Sequence, residues 1–219
     1  MRVIPAQTAA QKQAFLDLPR KLYADDPNWV GPLDMELKAL FDPRKNPHFA
    51  EGEAQWWIAQ SAAGETVGRI AAFIYYPKAR RYAVPTGGIG FLECVEDYSV
   101  AEALLSTAQA WLADRGMQAA DACINFGEND RFWGVLIEGF DSPPSYGMPY
   151  NKPYYADFLT RYGFELYFRQ ESRELDLRQI PERIIRIAQR AAQKEGVRFA
   201  YPELKNLRRY ALDFMTIYN

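Results

Sequence analysis

Between residues 87 and 116 the pattern of apolar and polar positions changes from one period to another. Ile89 to Val95 is apolar and β-prone, with Gly87 and Gly88 just before it, and predicts a strand. Ala101, Leu104, Leu105, Ala108, Trp111 and Leu112 then recur at helical spacing, and Gly116 closes the run as a C′ glycine does. Ser99 stands three residues before Glu102, a capping-box spacing. The prediction is a strand that turns into a helix whose free N-terminal N–H groups face the strand's C-terminal end, where α/β proteins bind ligands. A unit of this kind can equally serve only as core.

The same patterning extends along the chain. Arg2 to Pro5 predicts a short strand, and Thr8 to Gln11 a capping box opening a helix with Phe15, Leu16, Leu18 and Leu22, bent or interrupted at Pro19. Asp25 to Leu33 is turn-rich, and a second helix is expected over Leu33–Phe41. Gln55–Gln60 and Thr66–Tyr75 predict a hairpin about Ala63-Gly64-Glu65, followed by a basic loop from Pro77 to Pro85. A fifth strand is expected over Ala119–Phe126, then a short helix capped by Asn129 and a long Pro/Gly-rich loop from Gly139 to Pro153. Tyr154–Tyr162 predicts a helix, and Glu165–Arg169 and Arg173–Leu177 two further strands. This order is α/β (α+β): a mixed sheet flanked by helices.

Composition narrows the function classes. Apolar residues make up 48% of the 219, enough for a sizeable core, and a net charge of −2 removes a general electrostatic case for nucleic acid. Two cysteines, Cys94 and Cys123, and one histidine, His48, cannot build a zinc site at usual spacing, so no metal is expected. His48 follows Asn46-Pro47 and suits a loop or capping role better than a triad. No signal peptide or membrane-spanning apolar run is legible, and the expected setting is the cytoplasm, with free, buried thiols.

The residues FLTRYGFELYFR, Phe158 to Arg169, resemble the late helix–Gly-Phe–strand signature of the GNAT superfamily of N-acetyltransferases. More narrowly, LYADDPNWVGPL, FDPRKNPHF, GRIAAF, GVLIEGFDSPP and YNKPYYADFLTRYGF resemble a bacterial family of GNAT-like proteins. That family includes bacterial ceramide synthases, which join a fatty acyl group from acyl-CoA to a sphingoid-base amine. The phrases span roughly residues 20 to 165. The resemblance implies a splayed sheet whose fourth and fifth strands, here Gly90–Glu96 and Ala120–Phe126, receive the pantetheine arm. It implies acetyl-CoA or a longer acyl-CoA as cosubstrate and a small or lipidic, sphingoid-type amine as acceptor. Two positions differ from the superfamily pattern: Asp97-Tyr98-Ser99 stands where a Gly-rich phosphate motif is usual, and Leu159 where a thiolate-protonating tyrosine is common.

Acyl transfer to an amine needs a base, a polarised carbonyl and a protonated leaving thiolate. Glu93, between Leu92 and Cys94, is the candidate base; it can also point outward or pair with Arg69. Asn125 is a candidate for orienting carbonyl or amine, or a turn cap; Tyr155 is a further catalytic candidate, and Tyr154, Tyr155 and Tyr162 are equally open as substitutes for the missing thiolate-protonating tyrosine. For the acyl-CoA, Asn151 and Tyr155 could touch the thiol, Ser99, Val100 and Ala101 offer helix N-terminal amides to the pyrophosphate, and Val95 and Tyr154 are further cofactor-binding candidates; caps and packed aromatics are the plain alternatives.

Two functions are therefore carried forward: an acyl-CoA-dependent N-acyltransferase, and a catalytically inactive GNAT-like module that binds a ligand or supports another domain. Residues 1–177 are expected to form a GNAT-like domain. Residues 178–219 are expected to form a linker and the start of a second, truncated half, because Gly196–Asn219 resembles the chain's own beginning. Arg183, Arg186, Arg190 and Lys194 share one helical face, which fits weak contact with an anionic membrane surface or a solvated face. Homo-oligomerisation is left open.

Overall fold

The computed structural model describes residues 1–126, 133–173, 176–194, 196, 201 and 203–218. They divide into two units, Met1–Leu166 and Tyr167–Asn219. The first is mixed α/β. Strands β1 (Arg2–Pro5), β2 (Gly52–Gln60), β3 (Thr66–Tyr75), β4 (Thr86–Cys94) and β5 (Ala119–Ala122) form one sheet in sequence order. Neighbours are antiparallel except the parallel pair β4/β5. Helix α4 (Tyr98–Ala113) buries Val100, Ala101, Leu104, Leu105 and Ala108 against one face. Helices α1 (Ala9–Leu22) and α2 (Asp34–Leu40) cover the other with Phe15, Leu16 and Leu37.

Local chemistry accounts for most of these elements. Thr8 and Gln11 close a reciprocal capping box at the start of α1. The β2–β3 hairpin is closed by the Ser61 N–H on the Glu65 carbonyl, with Gly64 at φ +86° in the left-handed region. At the end of α5 (Tyr155–Tyr162), Gly163 adopts φ +112°.

Several expectations are corrected. Helix α1 runs through Pro19 without interruption. A short helix, α3 (Tyr76–Ala79), begins the basic segment expected as loop. The N-cap of α4 is Asp97, whose carboxylate accepts the Ser99 N–H at 2.9 Å, so the Ser99–Glu102 capping box does not form. Strand β5 ends at Ala122 instead of Phe126, because a bulge in β4 carries the neighbouring edge away. Glu165–Arg169 has no strand, nor have the described residues of Arg173–Leu177: Leu166 and Tyr167 are exposed, and among the described residues no strand runs beside them. The short helix expected after Asn129 lies partly outside the described residues.

The second unit contains α6 (Glu182–Ala192) and α7 (Leu207–Tyr218), each preceded by a 3-10 turn. Ile184, Ile185 and Ile187 of α6 are exposed.

Candidate active site around Glu93

Strict alternation along β4 would put Ile89, Phe91 and Glu93 on one face. The strand does otherwise. Arg69 of β3 pairs with Glu93 and Ala71 with Gly90, so two steps of β3 oppose three of β4. Phe91 takes φ +55° within this bulge. The phase therefore changes: Ile89, Leu92 and Cys94 belong to the α4 face, whereas Phe91 packs with the α1 face. The bulge brings Glu93 to the α1 side together with Arg69.

Arg69 is held there by four contacts. Its Nη2 lies 3.2 Å from Glu93 Oε1, its Nη1 donates to the Phe15 carbonyl at 2.8 Å, and its guanidinium stacks 4.8 Å from the Phe15 ring and 5.7 Å from that of Phe91. The Phe15 carbonyl is available because its helical partner four residues on is Pro19, which has no N–H. The proline thus supplies an acceptor for a buried cation. Side-chain exposure is 3% for Arg69 and 15% for Glu93. Among the described residues, Glu93 Oε2, Arg69 Nε and Tyr23 Oη are buried without a hydrogen-bond partner. Burial raises the Glu93 carboxyl above its ordinary range, against the opposing pull of Arg69.

Pairing of β4 with β5 stops after Ile89–Ala122, although the Ile124 N–H still reaches the Ile89 carbonyl at 2.9 Å. At this crossing a Cβ on Gly90 would lie 2.0 Å from the Ile124 carbonyl oxygen, so only glycine fits. Beyond it the described residues after β5 form no strand, and Gly90–Cys94 of β4 has no β5 partner. At Cys94 the backbone meets α5 instead: its N–H donates to Tyr155 Oη at 2.8 Å, and its carbonyl accepts from the Tyr154 hydroxyl at 2.7 Å and from the Tyr155 hydroxyl at 3.1 Å. Burial pushes the Tyr154 phenol up to about 12 and Tyr155 well above its usual value, so both hold their protons at neutral pH. The Cys94 and Cys123 thiols are likewise pushed up to about 12.

Glu93 opens on a cleft of about 110 Å³ whose lining includes Trp29, Phe91, Val135, Met148, Asn151 and Tyr155. Two turn-rich stretches build its walls by docking on each other. The Tyr150 hydroxyl reaches the Asp26 carboxylate at 2.9 Å, Asn28 Nδ2 donates to the Phe140 carbonyl at 3.1 Å, and Tyr146 bonds Glu36. Asn151 fastens the wall from inside: its Oδ1 accepts the Leu136 N–H at 2.6 Å and its Nδ2 donates to the Leu136 carbonyl at 3.1 Å.

Of the residues singled out from sequence, Glu93, Tyr155 and Asn151 therefore share one cleft, and Tyr154 adjoins it through Cys94. Asn125 does not join them. It accepts the Phe126 N–H at 2.7 Å and lines a separate cavity with Lys78 and Asp121. Val95 donates to the Val67 carbonyl, and the N–H groups of Val100 and Ala101 turn to the Asp97 carbonyl. Pro19 carried no motif. The signal that could have found it was a proline four residues after a core phenylalanine, on a helix facing a strand with a charged residue. Among the described residues, no group of three or more His, Cys, Asp and Glu could hold a metal ion, and no helix is long and apolar enough to cross a membrane.

The chain is 38% identical over 152 residues to Protein YghO of Escherichia coli, covering 69% of this chain and 38% of that protein. It is 34% identical over 166 residues to the bacterial ceramide synthase of Caulobacter vibrioides, covering 75% of this chain and 42% of that protein. The chain resembles the GNAT-like group that contains bacterial ceramide synthase. It spans about two fifths of the length of these curated relatives. No family model matches it. Among solved structures, a predicted acetyltransferase of Clostridium acetobutylicum with acetyl-CoA is 14% identical at a TM-score of 0.47, covering 80% of this chain and 96% of that one. The aminoglycoside 6'-N-acetyltransferase of Acinetobacter baumannii is 12% identical at 0.46, covering 80% and 98%.

Proposed function

We propose that this chain takes part in acyl-CoA-dependent N-acyl transfer, with Glu93 as the base that receives the acceptor's proton. The observation that carries this is a buried carboxylate with one oxygen fixed on Arg69 and the other unpartnered, opening on an apolar cleft beside the part of β4 that has no β5 partner. The amine nitrogen attacks the thioester carbonyl; the N–C bond forms, the C–S bond breaks, and the amine's proton passes to Glu93. The thiolate takes a proton from Tyr155, or from Tyr154 beside it, and the proton on Glu93 restores the phenol. Asn125, in its separate cavity, stays a candidate for orienting the carbonyl only through movement of the Ile124–Phe126 segment.

The thioester end of an acyl-CoA, acetyl or longer, fits the cleft, with Asn151 and Tyr154 at the thiol. The apolar lining favours an acceptor amine with a hydrocarbon tail, of which a sphingoid base is the example offered by the Caulobacter relative's name. The pyrophosphate end, assigned to Ser99, Val100 and Ala101, fits less well: Asp97 already occupies the Ser99 amide, and an anion must displace that carboxylate. This observation favours the second reading, a non-catalytic GNAT-like module. Residues 178–219 are proposed as a linker and the opening of a second GNAT-like half, with the basic face of α6 as a weak contact for anionic lipid.

Mass spectrometry of the chain incubated with mixed acyl-CoAs and primary amines tests the proposal. N-acyl amides that form with wild type and are lost in Glu93→Gln support it. Acyl-CoA binding without any amide product supports the non-catalytic module.

A further inference from the structure

We propose that the apolar rim around the mouth of the Glu93 cleft docks on a zwitterionic lipid surface, into which the tail of a bound acceptor amine extends. The proposal rests on the acyl-transfer reading for the identity of that tail; the surface itself is tested without turnover.

Five of the nine large apolar side chains exposed on the described residues of Met1–Leu166 stand on the stretches that wall the cleft: Val30, Leu33 and Met35 on one, Ile137 and Tyr146 on the other. Val30 lines the cleft and is 60% exposed, so it marks the mouth. Leu33 follows Pro32 of the lining. Met35, 73% exposed, precedes Glu36, whose carboxylate accepts the Tyr146 hydroxyl from the opposite wall. The exposed residues thus continue the apolar lining onto the outer surface, and such a patch marks an interaction site. Local structure does not call for them. Leu33 holds the N-cap position of α2 and makes no capping bond, where a serine would serve the helix better.

The size of the cleft decides what reaches the rim. At about 10–15 Å³ for each water-sized group, a cleft of about 110 Å³ holds roughly seven to eleven of them. The amino group, the thioester carbonyl and their first carbons fill that space. With the amine at Glu93, the rest of a longer tail leaves by the mouth, and every methylene standing in water forfeits its burial. A protein seated on the rim would close this exit, whereas the hydrocarbon of a lipid layer receives the tail. Charge selects the kind of lipid. Asp34 is paired with Arg20 and Lys38, and Asp26 accepts from Tyr150, so these charges are already used. The flanking Asp25, Glu138 and Asp141 are acidic. The rim therefore suits zwitterionic lipid and gains nothing from anionic lipid, the reverse of the basic face of α6.

Co-flotation of the full chain with phosphatidylcholine vesicles, in the absence of acyl-CoA and amine, tests this. Wild type is expected to float, and Leu33→Ser/Met35→Ser to bind about 10-fold more weakly, the worth of about two buried methylene groups. Both residues are exposed and neither lines the cleft, so the variant should keep the Tm of wild type and its transfer to a soluble short-chain amine. Its KM for a long-chain amine presented in the vesicles should rise. Arg183→Gln/Arg186→Gln, on α6, should leave binding to phosphatidylcholine unchanged. No flotation of wild type, equal flotation of the Leu33/Met35 variant, or flotation lost only in the α6 variant overturns the proposal. So does dimerisation that the Leu33/Met35 variant abolishes in a protein that does not float, which would give the rim to a second copy of the chain. Rim-dependent flotation of a chain that forms no amide keeps the surface and removes the acyl-transfer reading; amide formation from soluble amines without flotation does the reverse.

Discussion

On one face of the sheet Ile70, Ala72 and Ile89 of the central strands pack against Leu104, Leu105 and Ala108 of α4. Against α1 the same strands bury Arg69 and carry Glu93, ringed by Phe15, Phe41 and Phe91. The first face gains from removing apolar area from water. The second bears the cost of desolvating an ion pair and several orphaned atoms, a cost that stability alone would not retain. One strand serves both faces because a single bulge shifts its phase between Ile89 and Leu92.

The comparison can be broken at its charged side first. Arg69→Ala leaves the Glu93 charge buried and alone, and should destabilise the fold by about 3–5 kcal/mol in denaturant unfolding. A change within the scatter of surface mutants would mean that the pair is solvated. On the apolar side, Leu104→Ala should cost about 2–5 kcal/mol while leaving turnover per folded molecule unchanged. Lost turnover at full folding would merge the two faces into one functional unit. Tyr155→Phe removes the acceptor of the Cys94 N–H and should cost about 1–3 kcal/mol, with a fall in acyl transfer greater than the fall in folded fraction.

The smallest effect should come from Pro19→Ala. It returns an N–H to the Phe15 carbonyl, so that Arg69 must share its acceptor. Turnover should drop by about 2- to 5-fold, from a partial hydrogen-bond loss, while Tm holds or rises. A fall in Tm with unchanged turnover would contradict the role given to this proline.

The apolar face was the more legible of the two from sequence. The periodic run Ala101–Leu112, the capping box at Thr8 and the hairpin about Gly64 follow from local rules, and each is found. The site was legible only in part. Glu93 could be named from its apolar neighbours, but its face depends on a bulge that alternation cannot express. Asp97 displaced the expected cap because its carboxylate reaches the Ser99 amide two residues on, a shorter route than the Ser99–Glu102 box. The strands expected at Glu165–Arg169 and Arg173–Leu177 had the right alternation and lacked partners, which no local pattern records. Pro19 acts through a residue distant in sequence, and its meaning appears only once Arg69 and Glu93 are in place.

The Glu93 claim is tested most directly by the pH dependence of kcat/KM for the amine in wild type and Glu93→Gln. Burial raises this carboxyl, so the limb on which the base ionises should lie above the ordinary carboxylate pKa of about 4.3, with rate rising as pH rises through it. Stability should run the opposite way: the folded state keeps the Glu93 proton to higher pH than the unfolded chain, so this group's contribution declines as pH rises from about 4.3 to the raised value. With Glu93 as base, Glu93→Gln loses that limb and about 10²- to 10⁴-fold in rate. Superimposable profiles for the two proteins would contradict it.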